Sequence, residues 1–175
     1  MTLTHSLFCL LFVPSLLWSE ASGFTSLYAE FKKGNYSLVS KQSLQYLNGA
    51  EPEKDPRIFF LYVSTEENWS NLKSKVGKEK SPNFRLSPHY WNGIYLFMER
   101  ALVFGESDLL VEWGKDFQKN GKQSPKYNDA LLLYGLGLLD LKNESEAKKI
   151  FSEIESNSPS KHILSQLEEI KSVGK

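Results

Sequence analysis

From residue 24 onward, apolar side chains recur every three or four positions, the period of an α-helix rather than of a strand. Phe24, Leu27, Tyr28 and Phe31 predict a first helix over 24–33, broken by Gly34-Asn35. Leu38, Val39, Ser43, Tyr46 and Leu47 place a second over about 36–47, with Asn48-Gly49 as its stop. Asp55-Pro56 supplies an N-cap followed by proline at the first helical position, so a third helix spans 57–66. Its Ile58, Phe59, Leu61, Tyr62 and Val63 leave it apolar nearly all round. Trp69, Leu72 and Val76 define its partner, ending near Gly77, and residues 78–86 read as a polar linker. Ser87-Pro88 starts a long aromatic-rich helix over 89–104, broken by Gly105. Leu109, Leu110, Trp113 and Phe117 set its partner as far as Lys119, before Asn120-Gly121. A fourth pair lies between Pro125 and Ser156, and Ile163, Leu164, Leu167 and Ile170 form one stripe on a last amphipathic helix over 160–173. No sustained alternation of β-branched residues competes with this reading.

The breaks at Gly34, near Glu67, at Gly105 and near Lys142 are separated by about 33, 38 and 37 residues, which points to a repeated helix–turn–helix unit. The fourth pair carries the pattern most clearly. Leu131, Tyr134, Gly135 and Leu138 are followed by Ala147, Phe151 and Pro159, with Gly135, Ala147, Phe151 and Pro159 spaced by twelve, four and eight residues. Small residues at Gly135 and Ala147 let two antiparallel helices approach, Phe151 fills the space beyond the crossing, and Asn157-Ser158-Pro159 turns the chain. That spacing resembles the tetratricopeptide repeat, a unit of about 34 residues.

The resemblance covers about 24–173 and implies an all-α fold: a right-handed α-solenoid of about four helix–turn–helix pairs, closed by a C-terminal capping helix. It also implies that the first helix of each pair lines a concave groove that takes a peptide or helix of a partner protein. Carried over by register, the groove residues are Tyr28, Phe31, Arg57, Leu61, Asn92, Tyr95, Glu99, Asp129, Leu132 and Leu136. Clustered lysine and arginine, used in this family to clamp a C-terminal carboxylate, are lacking there, so the groove suits an apolar helix or peptide.

Composition narrows the partners. Basic and acidic residues balance at 21 each in 175 residues, without the basic excess of a nucleic-acid binder. The apolar run 7–18 (LFCLLFVPSLLW) is too short to span a bilayer and precedes Ser19-Glu20-Ala21, small residues at the positions a signal peptidase inspects. Residues 1–21 are therefore expected to be a signal peptide, residues 22–175 the repeat domain, and the protein secreted or periplasmic. No later segment approaches the length of a membrane span. The one cysteine, Cys9, falls inside the apolar run, so the mature chain has no thiol for a disulfide, a metal site or a nucleophile.

Candidate chemistry is sparse. His5, His89 and His162 are scattered, and no ligand spacing for zinc or iron occurs. Gly135-Leu136-Gly137 has neither a preceding strand nor the lysine of a phosphate loop. No catalytic residue, cofactor or metal is expected. Three sequons, Asn35-Tyr-Ser, Asn68-Trp-Ser and Asn143-Glu-Ser, fall at turns between paired helices, where Asn and Ser are favoured in any case. The sequence thus points to an interaction scaffold without catalysis. The alternative is an accessory or regulatory subunit of a cell-envelope enzyme, or such an enzyme itself, acting on peptide or carbohydrate. A convergent polar set on one face would separate the two.

Overall fold

Short polar side chains and prolines start several of the helices. Asp55 accepts the Arg57 amide at 2.8 Å, with Pro56 opening the helix behind it. Ser87 does the same for His89 ahead of Pro88, and Asn68 accepts from the Asn71 amide at 3.0 Å. The computed structural model describes residues 23–49, 55–79 and 82–173. The expected signal peptide, its cleavage site near Ala21, and Cys9 lie outside the described residues. Ten helices follow in order among the described residues: α1 Gly23–Lys32, α2 Tyr36–Asn48, α3 Pro56–Thr65, α4 Trp69–Lys78, α5 Pro82–Arg85, α6 Pro88–Val103, α7 Ser107–Asn120, α8 Tyr127–Asp140, α9 Glu144–Ser156 and α10 Lys161–Val173. The protein is all-α in these regions, and none of these helices is long and apolar enough to cross a membrane.

Three of the helix hairpins turn in the same way. Gly34, Gly105 and Lys142 each adopt positive φ, at 82°, 68° and 61°. The residue after each of them donates back to a carbonyl five residues earlier: Asn35 to Glu30, Glu106 to Ala101, and Asn143 to Leu138, at 3.1, 2.9 and 2.8 Å. This is the Schellman arrangement, which satisfies carbonyls left open at a helix end. Two of the three left-handed positions are glycine, as the conformation favours. The α3–α4 connection differs: Glu66 and Asn68 are extended, and the Glu66 amide bonds to Tyr62. The sequon asparagines Asn35, Asn68 and Asn143 are exposed at these turns, and Asn68 and Asn143 cap the helices that follow.

Packing is sequential. α1 lies against α2 and α3, α2 against α3, α3 against α6, α6 against α7 and α8, α7 against α8, and α8 against α9 and α10. Small residues mark the closest crossings. A Cβ on Gly114 of α7 would meet the Tyr134 ring at 2.4 Å, and one on Gly137 of α8 would meet Leu110 at 2.7 Å. Gly93 of α6 brings its backbone against the Phe59 ring, 3.0 Å from where a Cβ would stand. The core runs without interruption from Val39 and Leu47 through Phe59, Tyr62, Trp91 and Phe97 to Phe117, Leu131, Ile154 and Leu167.

In its element structure the fold departs from the sequence reading at the 78–86 linker and at α4. The polar linker contains the one-turn helix α5, whose Phe84 is buried against Phe59 and Tyr90, with ring centroids 5.9 and 6.1 Å apart. Arg85 beside it holds Asp116 of α7 through two bonds of 3.0 and 2.7 Å. The second feature is α4, which makes no backbone approach as close as those of its neighbours, so α3 packs directly on α6. Side chains fasten α4 instead. Leu72 and Val76 are buried, Trp69 stacks on Phe97 and Phe104, and Lys75 donates to the Leu47 carbonyl at 3.0 Å.

Candidate partner-binding groove

The faces of α1, α3, α6 and α8 that remain partly open carry most of the expected groove residues. On α1, Phe24, Tyr28 and Phe31 recur at helical spacing, and their rings stack at 5.5 and 6.3 Å with planes 14° apart. Tyr28 is 42% exposed and Phe31 half-buried. Cations sit on this ladder: the Arg57 guanidinium lies 4.2 Å from the Phe24 ring centre, and Lys32 lies 5.1 Å from that of Tyr28. Arg57 is also clamped to Asp55 at 2.6 and 3.0 Å, a hydrogen-bonded pairing that raises its already high pKa. Arg57 thereby joins α3 to α1.

A second cluster joins α6 to α8. The Tyr95 hydroxyl donates to Glu99 Oε1 at 2.6 Å, and Lys126 Nζ lies 5.1 Å from the Tyr95 ring centre. Lys126 also pairs with Asp129 at 3.6 Å, and Ser124 Oγ bonds Asn92 Oδ1 at 3.2 Å. Burial pushes the Tyr95 phenol above its ordinary range, helped by the bond to Glu99 and the charges of Glu99 and Asp129. Asn92, Tyr95, Glu99 and Asp129 are thus brought together, with Leu136 half-buried further along α8. Where the C-terminal parts of α3 and α6 run side by side, an open groove of about 590 Å³ is lined by Ser64, Glu67, Leu96, Glu99 and their neighbours.

Leu61 and Leu132 do not reach this surface. They are 1% and 7% exposed, part of the core. Beyond Pro56 in its first turn, the partly open positions on α3 are Arg57, Phe60 and Ser64, so the face is turned by one residue from the expected register. α8 is enclosed by α6, α7, α9 and α10, which leaves little of Leu132 uncovered. Ser124 and Lys126 escape the helical reading because they precede α8 in the turn after α7, where no apolar period applies. Among the described residues no group of three or more His, Cys, Asp or Glu is placed to hold a metal ion.

Compared with family models, with curated proteins and with solved structures, the chain matches none of them.

Proposed function

We propose that this chain is an exported, secreted or periplasmic, tetratricopeptide-like repeat protein that binds a peptide or helix of a partner protein along its first helices and performs no catalysis. The observation that carries the reading is the shared turn. The α1–α2, α6–α7 and α8–α9 hairpins reverse through the same left-handed position and the same backward hydrogen bond. A repeated turn followed by repeated contacts between first helices supports a repeat array, and arrays of this kind present their first helices as one surface. The mixed aromatic, aliphatic and charged character of that surface suits a folded or extended peptide.

The second reading, an accessory subunit or an enzyme acting on peptide or carbohydrate, is favoured by the polar set Tyr95, Glu99, Lys126 and Asp129. Those groups already pair with one another, and burial keeps the Tyr95 phenol protonated, so the scaffold reading is preferred.

Capture of partners by the purified protein from an extract of its own source, identified by mass spectrometry, tests the proposal. A partner retained by the wild type and lost by Tyr95→Ala is the expected result, and equal retention by both removes the groove. Intact mass of the native protein tests export. A chain beginning near Ser22 or Gly23 is expected, and a retained Met1 or a lipid on Cys9 overturns it.

A further inference from the structure

Three large apolar residues in succession close α6 in contact with solvent: Leu102 is 42% exposed, Val103 82% and Phe104 55%. A run of this kind is unfavourable in water unless something covers it. One face of Phe104 is used internally, stacked 4.9 Å from Trp69. The open edge continues into the groove beside α3 and α6, whose accessible apolar wall is made by Leu96, Val103 and Phe104, with Val63 buried beneath it.

Carboxylates outnumber cations in the groove lining, two to one. Glu67 stands at the α3 end and Glu99 on α6. Glu67 is exposed, and no lysine or arginine pairs with it among the described residues. Glu99 receives only the neutral Tyr95 hydroxyl in direct hydrogen bonding. The one cation lining the groove, Arg100, turns its guanidinium into the Glu66 carbonyl beyond the end of α3. The result is an apolar strip flanked by the Glu67 and Glu99 carboxylates, with the Arg100 charge drawn toward the end of α3.

We propose that this strip docks an amphipathic helix of a partner protein, with leucine-like residues on the apolar wall and lysine or arginine flanking them against Glu67 and Glu99. This rests on the scaffold reading and narrows the partner to a basic segment. Acidic partners are disfavoured by like-charge repulsion. A second copy is a poor occupant for the same reason, since a two-fold contact sets each patch against its own equivalent and brings the carboxylates together.

The test uses two dye-labelled synthetic helices of about 16 residues, one of Leu and Lys and one of Leu and Glu with the same apolar stripe. Fluorescence anisotropy follows each against the purified wild type, Val103→Glu and Glu67→Lys; both positions are exposed, so the fold is expected to persist. The Leu/Lys helix should bind saturably, the Leu/Glu helix roughly tenfold more weakly, and each substitution should weaken the Leu/Lys helix by about fivefold or more. Glu67→Lys should also strengthen the Leu/Glu helix. Leu/Lys binding untouched by both substitutions places the contact elsewhere and overturns the proposal. Equal affinity for both helices, lost in Val103→Glu, overturns the basic partner while leaving a docking surface for the scaffold reading. No binding of the Leu/Lys helix refutes the basic occupant, and Tyr95→Ala capture still decides the scaffold reading. A wild-type dimer in sedimentation that Val103→Glu dissolves assigns the patch to a second copy and also overturns it.

Discussion

The Phe151 ring lies so close over Gly135 that a Cβ added to the glycine would stand 2.1 Å from Phe151 Cε1. Both residues are buried, Phe151 on α9 and Gly135 on α8, so neither helix can give way without moving the other. Gly135→Ala should therefore destabilise the protein by about 1–3 kcal/mol through overpacking, even though alanine favours a helix interior by about 1 kcal/mol. Gly135→Leu should be worse, and Ala147→Leu should lose a similar amount at the same crossing. Thermal melts followed by circular dichroism check this, and unchanged melts for Gly135→Ala would dispose of the close crossing.

Adding the same methyl group elsewhere should have opposite effects. Neither Gly77 nor Gly105 has an atom within 4 Å of where a Cβ would sit, so packing does not decide the outcome. Gly77 is inside α4, and alanine there should add about 0.5–1 kcal/mol of stability. Gly105 holds φ at +68°, and alanine there should remove about 1–2 kcal/mol. Melts that shift in the same direction for both variants would contradict the turn geometry.

Alkaline unfolding should be linked to the tyrosines. Burial pushes the Tyr62 phenol up to about 12, with the Glu66 charge adding to it, and Tyr90, Tyr95, Tyr127 and Tyr134 shift upward too. Tyr95, Tyr127 and Tyr134 also donate to Glu99, Glu153 and Glu146. A phenol raised in the folded state binds its proton more tightly there than in the unfolded chain. Its stabilisation is complete below the unfolded value of about 10 and is lost as pH rises through the folded value. For Tyr62 that window runs from about 10 to about 12. Phenolate absorbance and helical circular dichroism should change together in this range. Phenolate formation by these tyrosines with the helix signal intact would show that their burial is not what raises them.

Tyr95 should matter for binding more than for folding. It is half-buried, whereas Phe151 is enclosed. Tyr95→Ala should weaken partner binding by about 1 kcal/mol or more. Its stability loss should be smaller than the 3–5 kcal/mol, roughly, expected of Phe151→Ala. Tyr95→Phe keeps the ring beside Lys126 and removes the bond to Glu99, so it separates the two contributions. Equal destabilisation by Tyr95→Ala and Phe151→Ala would place Tyr95 in the core.

Helix order was legible because the chain punctuates itself: Asp55-Pro56, Ser87-Pro88, Gly34 and Gly105 all mark ends close to where the structure has them. A close α8–α9 crossing was legible from the small residues Gly135 and Ala147, but Phe151, expected beyond the crossing, lies directly over Gly135. The face of α3 was not. A helix apolar nearly all round offers no polar side to fix its rotation, and Leu61 and Phe60 differ only through what packs over them. The helix α5 was hidden by Asn83, Arg85 and Pro82, since the one apolar residue in it, Phe84, sets no period. Lys126 joins the Tyr95 cluster from a turn, and only the fold brings it there.

The setting of Trp69 gives the molecule an optical handle. Trp91 and Trp113 are buried, whereas Trp69 is half-buried, stacked on Phe97 and Phe104, and donates its indole N–H to Glu106 at 3.1 Å. Phe104 is also part of the open edge of α6. Whatever covers that edge changes the polarity around Trp69, the partly open indole among the described residues, so its emission colour and quencher access report on the junction of α4, α6 and α7 without any added label.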